Sequence, residues 1–172
     1  YFAVSAVVLW GSGAALAYGS KRKLWPALLT TLGLIVFSIF IAGLWMSLER
    51  PPLRTMGETR LWYSFFLPVA GLLTYLRWNY KWILSFTTVL STVFIIVNIV
   101  KPDIHNKVLM PALQSPWFAP HVIIYMFSYA ILGAATLVAI YYLVREKKIN
   151  NKAHLMEMTD SLVYAGIACI TL

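Results

Sequence analysis

Long apolar runs, separated by short clusters of charge, set the pattern of this chain. The runs fall at roughly 2–19, 24–46, 61–77, 82–100 and 120–144, and a last one opens at 159 and stops at 172. A bilayer-spanning helix needs about 20 predominantly apolar residues, and backbone inside lipid must satisfy its own hydrogen bonds. The period-2 alternation of a membrane strand is absent. The pattern therefore predicts an all-α protein: a polytopic transmembrane helix bundle of five spanning helices plus a truncated sixth, read as a single transmembrane domain over 1–172. Loops 47–60 and 101–119 lie on one side of it. The run 61–77 is short and carries Pro68, which predicts a kink. The chain opens on Tyr1, and its final run is too short to span, so this reading expects a piece of a longer protein.

Composition sharpens the class. Hydrophobic residues make up 60% and charged residues 12% of the chain, against about 45–50% and about 25% in soluble domains. A soluble enzyme, a nucleic-acid binder and a disordered tail are excluded on that ground, despite the net charge of +8. The charge has a different origin. Nine basic residues (Lys21, Arg22, Lys23, Arg77, Lys81, Arg145, Lys147, Lys148, Lys152) flank one set of helix ends, and five (Arg50, Arg54, Arg60, Lys101, Lys107) flank the other. The positive-inside rule places the first set in the cytoplasm and loops 47–60 and 101–119 outside. Trp45, Trp62 and Trp117 then mark the outer interface, and Trp25, Trp78 and Trp82 the inner one. Gly11 and Gly13 read as helix-packing residues. The single cysteine, Cys169, reads as a small buried hydrophobe and rules out an intrachain disulfide.

Candidate chemistry collects at the outer side. His121 follows Pro120, a residue suited to a first helical turn, and Tyr125, Ser128, Tyr129 and Thr136 recur below it at helical spacing. Such a polar stripe is expected to face the bundle interior. A neutral imidazole at its top can bind a metal, including haem iron; a hydrogen-bonded histidine capping a packing stripe is the plainer alternative. The run Glu49–Arg60 holds Arg50, Arg54 and Arg60 with Glu49 and Glu58. Arginine forks match carboxylates, so these residues either hold an anionic ligand or pair among themselves. Segment 108–119 is apolar for a loop and is expected to lie in the interface. His105 reads as a loop residue and His154 as a solvated one.

These residues carry a family resemblance. Pro111-Ala112-Leu113-Gln114-Ser115-Pro116-Trp117-Phe118-Ala119-Pro120-His121-Val122, followed by Ser128-Tyr129-Ala130, resembles the CcsA/ResC family, the membrane subunit of the system II cytochrome c synthetase. Glu49-Arg50-Pro51-Pro52 with Gly57-Glu58-Thr59 is similar to that family's external stretch, and Met158 to Tyr164 to the entry of its next helix. The likeness runs over roughly 49–172; the first 48 residues match only as hydrophobic helices.

The resemblance implies a bacterial inner-membrane protein that brings haem b, its transported substrate, to an external site. There haem is joined to the CxxCH motif of an apocytochrome c. It further implies a CcsB/ResB-like membrane partner. His121 matches the histidine that precedes the family's Trp-rich WWD segment and would be an axial iron ligand. Trp117, Phe118 and Tyr125 would form an apolar, aromatic shelf. Arg50, Arg54 and Arg60 are taken as counter-ions for the haem propionates, and Tyr125 and Ser128 as residues that orient the imidazole or line the haem path. The WWD segment and the family's other histidines are not in this sequence, so this stretch alone is expected to lack synthetase (haem lyase) activity. The alternative from the residues alone is a non-haem transporter or membrane scaffold subunit whose polar stripe serves packing.

Overall fold

A computed structural model describes residues 2–19, 22–53, 55–100, 117–145 and 152–171. Every regular element among them is helical: α1 (Phe2–Gly19), α2 (Leu24–Leu48), α3 (Met56–Trp78), α4 (Lys81–Val100), α5 (Phe118–Arg145) and α6 (Lys152–Ile170). Four of them, α1, α2, α4 and the Pro120–Val144 part of α5, are long and apolar enough to cross a membrane. The helices form three hairpins, α1 with α2, α3 with α4 and α5 with α6. The middle hairpin joins the outer two: α3 packs on α5 and α2, and α4 packs on α1.

Two boundaries differ from the sequence reading, each for a local reason. Helix α3 opens at Met56 rather than 61, because Thr55-Met56-Gly57-Glu58 is a capping box. The Thr55 hydroxyl accepts from the Glu58 N–H at 3.2 Å, and the Thr55 N–H donates to Glu58 Oε2 at 3.1 Å, satisfying two of the orphan donors of a helix start. Helix α6 opens at Lys152 rather than 159, because the polar stretch Lys152–Asp160 is itself good helix-forming sequence.

The core is built from Trp10, Phe37, Ile83, Leu84, Val138, Leu155 and Met158, all fully enclosed. Many large apolar side chains face outward instead, among them Val8, Ile35, Ile39, Val89 and Ile96. A bilayer solvates such a surface and water does not. Several buried threonine hydroxyls satisfy themselves along their own helices: Thr30, Thr74 and Thr88 each donate to the carbonyl four residues back, the usual solution where no water is at hand.

Small residues set how closely the hairpins pack. A Cβ at Gly71 would lie 2.0 Å from Thr87 Oγ1, and one at Gly13 would lie 2.7 Å from Thr30 Oγ1. Gly11, expected to pack, has open space around it. Pro68 sits inside α3, where it cannot donate to the Ser64 carbonyl. The Ser91 hydroxyl of α4 donates to that carbonyl at 2.5 Å.

At the basic end, Trp82 stacks on Tyr141 with centroids 5.0 Å apart. His154 is half-buried, not solvated, with its ring 6.2 Å from that of Tyr80. Burial, and then the nearby Tyr141, push the Tyr80 phenol above its ordinary pKa. Cys169 is half-buried rather than buried.

Candidate functional site

The opposite end holds the expected site residues. The turn at Trp117 leads into α5, with Pro120 in its first turn, and His121 stands on the first turn with its imidazole exposed. Its ring lies 4.3 Å from that of Tyr125 at an interplanar angle of 50°, and Tyr125 lies 6.1 Å from Tyr129 in an edge arrangement. One imidazole and two phenols thus form a ladder along a single face of α5. Trp117 is 81% exposed above it.

That face is not the interior of the bundle described. Tyr129 and Thr136 are exposed, and the Thr136 hydroxyl turns back to the Leu132 carbonyl. Ser128, two turns below His121, is buried, and its hydroxyl donates to the Gly166 carbonyl of α6 at 2.5 Å. The expected stripe therefore divides. His121 and Tyr129 are exposed and Tyr125 is half-buried, while Ser128 joins α5 to α6. Helical periodicity placed them together, because His121 and Ser128, seven residues apart, lie within about 20° of one another around the helix and differ chiefly in height along it.

Helix α3 flanks the ladder. It packs on α5, and Arg60 lies near its start, at the same end of the bundle as His121. Arg60 Nη1 is buried without a hydrogen-bond partner. Phe66 of α3 meets Phe127 of α5 edge-on at 5.6 Å and stacks on Trp62 at 5.6 Å, joining the two helices beneath.

Arg50 has a different setting. Its Nη1 and Nη2 donate to Glu58 Oε2 and Oε1 at 3.1 and 2.9 Å, a bidentate pair. Glu58 is 4% exposed and also closes the capping box. Of the two readings of these arginines, Arg50 follows internal pairing. Trp62 was expected in the interfacial belt; it is buried instead, with Nε1 donating to the Pro52 carbonyl at 2.9 Å. Loop 49–53 is thus fastened to α3 from both sides. Arg54, His105 and most of segment 108–119 lie outside the described residues. The capping box was the missed signal, written as Thr-x-x-Glu ahead of an apolar run.

Among the described residues there is no cluster of three metal-ligating side chains. A metal already held by a macrocycle needs only an axial donor, which a single imidazole can supply.

The fold and this cluster define a helical integral membrane protein with a histidine–tyrosine ladder at one end of its bundle. The family model described as Cytochrome C assembly protein matches residues 54–171, and the chain belongs to that family. Helices α3 to α6 and the His121 ladder lie within the matched segment.

Among curated relatives, the chain is similar to proteins named "Cytochrome c biogenesis protein CcsA". That of Phalaenopsis aphrodite subsp. formosana is 31% identical over 117 residues, 64% of this chain and 36% of the relative. That of Ranunculus macranthus is 29% identical over 133 residues, 75% of this chain and 40% of the relative. That of Pelargonium hortorum is 34% identical over 120 residues, 65% of this chain and 38% of the relative. The chain spans about two fifths of the length of these relatives. No solved structure matches it.

Proposed function

We propose that this chain is the part of a cytochrome c biogenesis protein that presents haem b at the His121 end of its bundle for attachment to apocytochrome c. The observation that carries the reading is the exposed imidazole of His121, tilted against the Tyr125 ring in the first turns of α5, in a chain of the cytochrome c assembly family. Haem is the cargo. His121 supplies one axial nitrogen to its iron, Trp117 and Tyr125 lie against the macrocycle, and Arg60 meets a propionate.

The rest of the topology follows from the same reading. All six helices cross or enter the bilayer, including α3 and α6, whose polar ends lower their apolarity. Positive residues hold the basic end in the cytoplasm of a bacterium, or in the corresponding compartment of a plastid, and the His121 end faces out. A CcsB/ResB-like membrane protein completes the site, and the apocytochrome supplies the thiols that add across the haem vinyl groups.

The test is made on the full-length protein purified with its membrane partner. Wild type is expected to show a low-spin haem spectrum, His121→Ala to lose it, and added imidazole to restore it. An unchanged spectrum in His121→Ala would remove His121 as a ligand. Intact cytochrome maturation with no haem in either preparation would favour a scaffold subunit.

A further inference from the structure

A cavity of about 420 Å³ opens at the same end of the bundle but on its other flank, between α1, α2, α3 and α4. Ligand sites for small molecules run from about 300 to 1,000 Å³. None of the described residues that line it comes from α5 or α6, which sets it apart from the His121 ladder. Leu44, Leu48, Leu61, Ile95 and Ile99 make its apolar wall, and Arg50, Glu58 and Asn98 make its polar edge. A second hollow of about 390 Å³ shares Phe40 and Leu44 with it and is otherwise lined from α1 and α2. An apolar chain longer than the first cavity holds therefore has a route toward lipid.

The polar edge specifies a head. Asn98 is 8% exposed, and its Nδ2 donates to the Gly57 carbonyl at 2.9 Å. Its Oδ1 is buried with no hydrogen-bond partner. A buried acceptor without a donor is costly, and a ligand O–H supplies the donor. The charges beside it cancel, because Glu58 takes Nη1 and Nη2 of Arg50. An anionic head would meet the Glu58 carboxylate as well as Arg50, and a cationic head the Arg50 guanidinium as well as Glu58, so neither finds a net counter-charge.

We propose that this cavity binds a membrane amphiphile with a long apolar tail and an uncharged, hydroxyl-bearing head, the hydroxyl donating to Asn98 Oδ1. A quinol and a neutral glycerolipid share that chemistry.

The test uses the full-length protein with its membrane partner in phosphatidylcholine nanodiscs. Saturable binding is measured for tritiated decylubiquinol, tritiated monolauroylglycerol and tritiated lauryl phosphate. At least one neutral probe is expected to bind at one per chain. Leu44→Trp, which fills the cavity, is expected to abolish binding, and Asn98→Leu to weaken it about tenfold. Preference for decylubiquinol assigns a quinol, and preference for monolauroylglycerol a glycerolipid. Equal binding of both supports the shared chemistry. The proposal is overturned if neither neutral probe saturates, if both variants bind as wild type does, or if lauryl phosphate binds tighter than both. Unchanged helicity and monodisperse elution qualify each variant; if Leu44→Trp fails that check, Ile99→Trp takes its place. Haem spectra of the same samples report on the His121 site, so the two readings fail separately.

Discussion

Ser91 of α4 donates its hydroxyl to the Ser64 carbonyl of α3 at 2.5 Å, and Ser64 is the residue whose carbonyl Pro68 leaves without its helical donor. One helix thus repairs a break in its neighbour. Ser64 and Ser91 are both fully buried, so no bulk solvent is at hand to do the same. Ser91→Ala is expected to destabilise the protein by about 1–3 kcal/mol, the cost of a buried unsatisfied carbonyl. In a Pro68→Ala background the helix regains its own donor, and the same change should cost little. Thermal unfolding of the two single variants and the double variant in detergent measures this coupling; additive losses would mean that Ser91 acts through packing alone.

How much of this was legible in the sequence follows the range of each interaction. Apolar run lengths gave the helices, since lipid imposes one length scale on every element. The start of α3 was legible too, in Thr55 and Glu58, but apolarity alone hides it because the first turn is polar. The Ser91–Ser64 contact was not legible, for it depends on the register of two helices 27 residues apart along the chain. The division of the α5 stripe, with Ser128 on α6 and His121 outside, depends on where α3 and α6 dock. The choice of Glu58 as partner for Arg50 depends on loop 49–53 folding back onto α3, with Trp62 holding Pro52.

The Arg50–Glu58 pair ties that loop to the helix, and each partner's loss should be felt differently. Glu58→Ala removes the capping box and leaves a guanidinium beside apolar side chains. Because Arg50 is partly exposed, at 24%, the loss is expected near the low end for buried pairs, about 3 kcal/mol. Glu58→Gln keeps a cap acceptor and should lose less. The Arg50→Ala/Glu58→Ala pair should be milder than the sum of the two single losses. Urea or detergent titration of helicity ranks the four proteins.

Gly71 and Thr87 fix the spacing of α3 and α4. A Cβ at Gly71 would overlap Thr87 Oγ1, so Gly71→Ala is expected to cost about 1–3 kcal/mol through overpacking. Thr87→Ala should recover most of that loss by vacating the space. Gly11→Ala and Gly43→Ala, with open space at both positions, should instead gain up to about 1 kcal/mol in helix propensity. Midpoint temperatures of the four variants check the contrast between crowded and open glycines.

Tyr125 and Ser128 separate binding from packing on one helix. Tyr125 holds its ring 4.3 Å from that of His121, an aromatic contact worth about 0.5–1.5 kcal/mol. Tyr125→Leu is therefore expected to lower haem retention about 2–10-fold, and Tyr125→Phe, which keeps the ring, to leave it near wild type. Ser128→Ala should do the reverse, lowering the unfolding midpoint while haem retention holds. Parallel haem-content and melting measurements on the full-length protein compare them, and a large haem loss in Ser128→Ala would contradict its assignment to the α5–α6 joint.

Arg60 and Arg50 differ in what their guanidinium groups still have to offer. Arg50 already spends its fork on Glu58, whereas Arg60 keeps a buried Nη1 without an acceptor, on the helix that flanks the tyrosine ladder. A propionate carboxylate would satisfy that donor with a charge-assisted hydrogen bond, worth about 1.5–3 kcal/mol. Arg60→Ala should then release haem to an apomyoglobin acceptor about 10–100-fold faster than wild type. Arg60→Lys should recover part of the difference, since it keeps the charge and loses the fork. Arg50→Ala should alter stability more than haem release. A wild-type release rate in Arg60→Ala would leave the propionate without a partner on α3 and move the search to the loop that follows α4.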